Sequence, residues 1–125
     1  MNVVDSSMWL EYFADGPAAK QIAPVIRDHQ KLIVPAVCLY EVFKVILRAA
    51  DENSALQAYA AMQKGMVVDL TPKLAIAAAK LSIFHRLPMA DSIILDTAHA
   101  LGATVWTQDA HFQNLPGVNY FPKAK

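Results

Sequence analysis

Short apolar runs alternate with longer helical segments along this chain of 125 residues, and the alternation limits the folds open to it. The runs are rich in valine and isoleucine, as expected for strands that are buried on both faces of a sheet. They are predicted at Asn2–Val4, Leu32–Val34, Met66–Asp69, Ala103–Thr107 and Val118–Phe121. Helices are predicted at residues 8–13, 17–28, 36–50, 52–64, 72–85 and about 88–101. Together they predict an α/β fold whose parallel sheet is covered by helices on both faces.

Several helix ends carry local signals. Thr71 followed by Pro72 is typical of a helix start, with threonine as the N-cap and proline in the first turn. Gly65 is expected to stop one helix, and Gly102 to follow the end of another. Pro24 weakens the prediction of the second helix, because proline disfavours a helix interior.

Length and composition indicate one compact domain over residues 1–125, since 55% of the residues are apolar and no linker is visible. Eleven basic and eleven acidic residues balance, so net charge gives no support to a nucleic-acid role. The lone Cys38 lies in an apolar run, which fits a core residue and a reducing cytoplasmic location. We expect no membrane association, because no apolar stretch is long enough to span a bilayer.

Four acidic residues stand out by their positions. Asp5 follows the first predicted strand and Asp109 follows the strand that ends near Thr107, so both should lie at the carboxyl rim of the sheet. Asp91 opens a helix, and Glu41 interrupts an otherwise apolar helix. Acids gathered in one place repel one another unless a cation neutralises them, and hard divalent ions take oxygen ligands. The four residues therefore form a candidate metal site.

Each acid also has a simpler interpretation. Asp5, Asp91 and Asp109 could each stabilise the start of a helix. Glu41 could pair along its own helix with Lys44 or Arg48.

Three further residues are candidates for supporting roles. The Thr107 hydroxyl could orient a carboxylate or a metal-bound water, although a threonine at a strand end is common. Ser6 carries the same ambiguity, with helix capping as its simpler role. Asp96 lies off the face of Asp91, since five residues advance a helix by about 500°; a supporting role or a contact with Arg48 suits it better than direct metal binding.

Other catalytic signatures are missing from the sequence. The four histidines show no HxH or HExxH spacing, and no glycine-rich phosphate loop or GxSxG motif is present. An aspartyl-phosphate phosphatase would need an acid two residues after Asp5, where this chain has Ser7.

In these residues the sequence resembles the PIN domain, and within it the VapC-type toxins of toxin–antitoxin pairs. The resemblance rests on Val3-Val4-Asp5-Ser6-Ser7, on Glu41 in its apolar helix, and on two C-terminal segments. These segments are Leu87–Ile94, which contains Ala90-Asp91-Ser92-Ile93, and Gly102–Phe112, which contains Gly102-Ala103-Thr104 and Thr107-Gln108-Asp109. The matching features run through nearly the whole chain.

The resemblance implies a three-layer α/β/α fold around a short, mostly parallel central sheet. It implies a metal-dependent endoribonuclease that uses Mg²⁺ or Mn²⁺ to hydrolyse RNA, with Asp5, Glu41, Asp91 and Asp109 as catalytic metal ligands and Thr107 in support. It also implies a homodimer and a small cognate antitoxin protein. Gln108 departs from the pattern, because many relatives have arginine there, and Asp96 stands where a small residue is common. The alternative is a PIN-like binding module with weak or no catalysis that acts through a protein partner.

Overall fold

In the computed structural model, which describes residues 1–123, five parallel strands form one sheet in the order β3-β2-β1-β4-β5. The strands are β1 (Asn2–Val4), β2 (Leu32–Pro35), β3 (Met66–Val68), β4 (Thr104–Thr107) and β5 (Val118–Tyr120). The predicted strands are all present, with ends that differ by one residue. Every neighbouring pair is parallel, which confirms the parallel sheet predicted from the alternation of strands and helices.

Six helices connect and cover the strands. They are α1 (Ser6–Phe13), α2 (Ala19–Arg27), α3 (Ala36–Ala49), α4 (Glu52–Met62), α5 (Pro72–His85) and α6 (Met89–Ala100), with 3₁₀ turns at His29–Lys31 and Ala110–Phe112. Val3 and Val4 are both fully buried, as are Ile33 and Val34. Successive strand residues point to opposite faces, so helices must cover both faces of the sheet, and the architecture is a three-layer α/β/α arrangement.

Local signals account for three of the helix ends. Thr71 caps α5, because its hydroxyl accepts a hydrogen bond from Leu74 N at 3.2 Å, and Pro72 is the first helical residue. Asp51 caps α4 in the same way, through Ser54 N at 2.7 Å. Gly102 adopts φ 62° just beyond α6, a left-handed backbone that glycine adopts without strain.

The strand order indicates where a ligand crevice is expected. After β1 the chain builds outward through β2 and β3 on one side, and it later adds β4 and β5 on the other. The order therefore reverses between β1 and β4, where Val4 pairs with Trp106. In open parallel sheets the crevice for ligands lies beyond the carboxyl ends of the strands at such a switch point. Within residues 1–123, no helix combines the length and apolar character needed to cross a bilayer.

Candidate metal centre

Asp5 lies at this switch point, directly after β1. It occupies the N-cap position of α1, yet its side chain makes no capping hydrogen bond there. Its Oδ2 instead accepts hydrogen bonds from Ser7 Oγ at 2.7 Å and from Thr107 Oγ1 at 2.8 Å. The residue is 3% exposed. Burial raises the pKa of Asp5, while the two hydroxyls lower it and the nearby Asp109 raises it further.

The two hydroxyls that hold Asp5 are fixed by the backbone after β4. Thr107 Oγ1 accepts a hydrogen bond from Asp109 N at 2.8 Å, and Ser7 Oγ accepts one from Gln108 N at 3.0 Å. Each hydroxyl therefore accepts from the β4 loop and donates to the Asp5 carboxylate. This small network joins the ends of β1 and β4 and fixes the direction of the Asp5 carboxylate.

Glu41 reaches the same region from the second turn of α3. Ser6 Oγ donates a hydrogen bond to Glu41 Oε1 at 2.7 Å, across 35 residues of sequence. The capping role suggested for Ser6 is therefore wrong: Asp5, not Ser6, occupies the N-cap position, and the Ser6 hydroxyl binds Glu41. Burial raises the pKa of Glu41, Ser6 lowers it, and the charges of Asp5 and Asp109 raise it.

The simpler interpretation of Glu41, an ion pair along α3, is also wrong. Within residues 1–123 no ion pair joins Glu41 to Lys44 or Arg48. Lys44 instead places its ammonium 5.5 Å from the centre of the Tyr40 ring, one turn earlier.

Asp91 is not the N-cap of α6, which is Pro88, but it stands in the first turn, where a negative charge is favoured by the helix dipole. The residue is 7% exposed, and its Oδ2 is a buried oxygen with no hydrogen-bond donor among the described residues. Burial, followed by the effect of Asp109, raises the pKa of Asp91 to about 8. A buried carboxylate oxygen without a donor is costly in water-free surroundings, and a cation would satisfy it.

Asp109 begins the 3₁₀ turn after β4. Its Oδ1 accepts a hydrogen bond from His111 N at 2.9 Å, so the capping interpretation applies to this residue. The same oxygen lies 2.7 Å from His111 Nδ1, and that nitrogen lies 3.4 Å from Asp91 Oδ2. Partial burial raises the pKa of Asp109. Hydrogen bonds from His111 and from the protonated Asp91, together with the charge of His111, outweigh this effect, so the pKa of Asp109 lies below its usual value.

The four acids share one electrostatic field. The charge of Asp109 raises the pKa values of Asp5 and Glu41. The charges of Asp5 and Glu41 in turn raise the pKa of Asp91. Three of the four carboxyl groups have raised pKa values, so the ionised cluster is unfavourable without a counter-charge. An all-oxygen donor set with one buried, unpaired oxygen fits a hard divalent cation.

Asp96 is not among the residues that the structure brings together. It lies further along α6, partial burial raises its pKa, and the charge that acts on it is that of His99. No ion pair links Asp96 to Arg48 within residues 1–123.

Two residues escaped the sequence analysis. Ser7 lies in the segment Val3-Val4-Asp5-Ser6-Ser7 but has no predicted role in the site, and the four histidines lack HxH or HExxH spacing. His111 is nevertheless the third member of a potential metal-ligand group with Asp91 and Asp109, whose donor atoms lie within 4.8 Å of one another. The signal available in the sequence was the Asp109-Ala110-His111 spacing, which folds into one 3₁₀ turn.

Known proteins share this fold. The family model of the PIN domain matches residues 3–118, and the chain belongs to this family. No curated protein matches the chain in sequence.

Solved structures of similar shape come from several bacteria. A chain of a toxin–antitoxin complex from Klebsiella pneumoniae has a TM-score of 0.84 at 18% identity, covering 98% of this chain and 100% of its own. VapC20 of Mycobacterium tuberculosis, described as a sarcin–ricin loop cleaving toxin, has a TM-score of 0.80 at 17% identity, with coverages of 94% and 97%. A DNA-bound VapBC from Salmonella typhimurium gives 0.74 at 13% identity, with coverages of 97% and 96%. At these identities the likeness concerns the fold.

Proposed function

We propose that this protein is a metal-dependent endoribonuclease that hydrolyses RNA phosphodiester bonds and serves as the toxin of a toxin–antitoxin pair. The observation that carries the proposal is a cluster of four carboxylates at the switch point that act on one another's pKa values, with Asp91 Oδ2 buried and unpaired. Among the described residues, Asp91, Asp109 and His111 already have donor atoms within 4.8 Å of one another, whereas Asp5 and Glu41 stand outside that group. Such a cluster is unfavourable by itself, and bound divalent cations would offset its negative charge.

In this proposal Asp5, Glu41, Asp91 and Asp109 hold Mg²⁺ or Mn²⁺. A bound ion of this kind lowers the pKa of a coordinated water and neutralises charge on the phosphate and the leaving oxygen. Asp5 and Glu41 are already oriented for the task, since Ser7, Thr107 and Ser6 each donate a hydrogen bond to one of their oxygens. Preset ligands lose little freedom when substrate binds, which favours reaction.

The partners proposed for the chain follow from the family and from the shapes of its neighbours. Two of the structural neighbours are toxin–antitoxin assemblies, one of them bound to DNA, and VapC20 is described as cleaving the sarcin–ricin loop. We accordingly propose an RNA substrate, a small antitoxin partner and a homodimer for this chain. The balanced net charge means that contacts with RNA phosphates depend on local placement of basic residues and on the ion.

The proposal is tested by incubating the purified protein with structured and single-stranded RNA in Mn²⁺, in Mg²⁺ or in EDTA. Asp5→Asn and Asp91→Asn run beside the wild type, with Asp69→Asn as the matched control, because Asp69 is an exposed acid just after β3. We expect cleavage by the wild type and by Asp69→Asn, only with metal, and at least 10²-fold slower cleavage by the two site variants.

Two results would contradict this function. Equal cleavage by the wild type and the site variants would identify a contaminating nuclease. Absence of cleavage across total RNA, including ribosomal and transfer RNA, would favour a binding module that acts through its protein partner.

A further inference from the structure

We propose that His111 supplies a nitrogen ligand to the ion held by Asp91 and Asp109, and that it makes this centre prefer Mn²⁺ over Mg²⁺. The inference rests on the proposed function in one respect, that the acidic cluster binds a divalent ion. It adds a ligand of a different chemical kind to that cluster and a consequence for which metal is bound.

The distances around His111 suit a shared ion. His111 Nδ1 lies 2.7 Å from Asp109 Oδ1 and 3.4 Å from Asp91 Oδ2. In an octahedral site with bonds of about 2.1 Å, neighbouring donor atoms lie about 3.0 Å apart. The two observed separations bracket that value, so one cation can contact all three groups with small side-chain movements.

A second observation points to the same place. Asp91 Oδ2 is buried and has no hydrogen-bond donor among the described residues, although the His111 ring nitrogen lies 3.4 Å away. At 3.4 Å the two atoms form no good hydrogen bond, whereas His111 Nδ1 and Asp109 Oδ1 are joined at 2.7 Å. A single hydrogen on the His111 ring nitrogen therefore cannot make a good hydrogen bond to both carboxylates. A divalent cation between the three groups would contact both.

The local chain fixes His111 for this role. In the turn Ala110–Phe112 the backbone N–H of His111 donates a hydrogen bond to Asp109 Oδ1. Phe112, the last residue of the turn, is fully buried. The anchored turn therefore holds the imidazole beside the carboxylates, while the ring itself stays more than half exposed. An exposed ring on a fixed turn can be replaced without disturbing the core.

The chemical consequence concerns metal choice. Mg²⁺ takes oxygen ligands almost exclusively and keeps several waters. An imidazole nitrogen binds first-row transition ions better than it binds Mg²⁺, and Mn²⁺ stands at the weak end of that series. A centre with two carboxylates and one imidazole should therefore bind Mn²⁺ more tightly than an all-carboxylate centre would, with little gain for Mg²⁺.

The test measures metal binding without RNA, by isothermal titration calorimetry of the full chain with Mn²⁺ and with Mg²⁺. His111→Ala should weaken Mn²⁺ binding by about ten- to a hundred-fold and change Mg²⁺ binding far less. His111→Gln, which retains a donor for Asp109, should show the same loss of Mn²⁺ preference. His99→Ala is the matched control, because His99 is an exposed histidine in the last turn of α6.

A spectroscopic readout makes the test independent of how well the variants fold. Pulsed electron paramagnetic resonance of the Mn²⁺-loaded wild type should show coupling to a directly bonded nitrogen, and His111→Gln should lose it. Absence of that coupling in the wild type, or an equal loss of affinity for both ions in the variants, would overturn the role of His111 while leaving the carboxylate site intact. Failure of the wild type to bind either ion would overturn the proposed function as well.

Discussion

Replacing Asp91 with asparagine should stabilise the metal-free protein at pH 8, even though it removes a proposed metal ligand. The folded-state pKa of Asp91 is about 8, against an ordinary value of 3.8. The unfolded chain therefore releases this proton near pH 4, while the folded protein keeps it until about pH 8. Across that window the free energy of unfolding of the wild type falls by about 1.4 kcal/mol per pH unit.

The size of the effect follows from the same window. Between pH 4 and pH 8 the free energy of unfolding of the wild type would fall by about 6 kcal/mol if Asp91 titrated alone. Asp109 offsets part of this cost, because its own pKa is lowered by His111 and by the proton of Asp91. We therefore expect Asp91→Asn to be about 2–4 kcal/mol more stable than the wild type at pH 8, with little difference near pH 4.

Urea unfolding in EDTA, followed by tryptophan fluorescence at pH 4 and pH 8, measures this difference. Asp69→Asn is again the control, since the exposed Asp69 should give no pH-dependent change. Saturating Mn²⁺ should remove most of this difference, because ligand at a hundred times its Kd adds about 2.7 kcal/mol to a protein that binds it. Equal stability of Asp91→Asn and the wild type at pH 8 would refute the claim that burial and the neighbouring acids raise the pKa of Asp91 in the folded protein.

Other residues give shorter predictions. Thr107→Val should lower the free energy of unfolding by about 2–4 kcal/mol in urea titrations, because the buried hydroxyl forms hydrogen bonds with both Asp5 and a backbone N–H. Thr107→Ser keeps the hydroxyl and should retain most of that stability, and an equal loss in the two variants would contradict this reasoning. Ser6→Ala should slow RNA cleavage by about ten-fold with little loss of stability, since it frees Glu41; an unchanged kcat would exclude the orienting role. The fully buried Cys38, whose pKa burial raises well above the usual range, should react with a thiol reagent only after urea unfolding, and rapid reaction of the native protein would contradict its position.

Most of the fold was predictable because its signals are local. Strand runs, the Thr71 cap and the glycine after α6 each depend on a few adjacent residues, and all were confirmed. The start of α2 was placed two residues early, at residue 17 instead of Ala19. Ala18 is the N-cap residue, and Glu11 Oε2 accepts a hydrogen bond from its N–H at 2.9 Å, which satisfies a group that has no acceptor within the helix.

The candidate site was predictable only in part. Strand ends and the rule for parallel sheets placed Asp5 and Asp109 at one rim, but the strand order that makes β1 and β4 neighbours is a property of the whole chain. The Ser6–Glu41 hydrogen bond joins residues 35 positions apart, and no spacing in the sequence announces it. The nearness of His111 to Asp91 likewise depends on how α6 and the turn after β4 pack together.

The central claim, that these carboxylates hold a divalent ion, is tested most directly by X-ray diffraction from crystals soaked in Mn²⁺. The account predicts an anomalous difference peak within bonding distance of the Asp91 and Asp109 carboxylates, and the loss of that peak in Asp91→Asn. A well-diffracting, Mn²⁺-soaked crystal with no peak at this rim of the sheet, or with a peak that persists in Asp91→Asn, would contradict it.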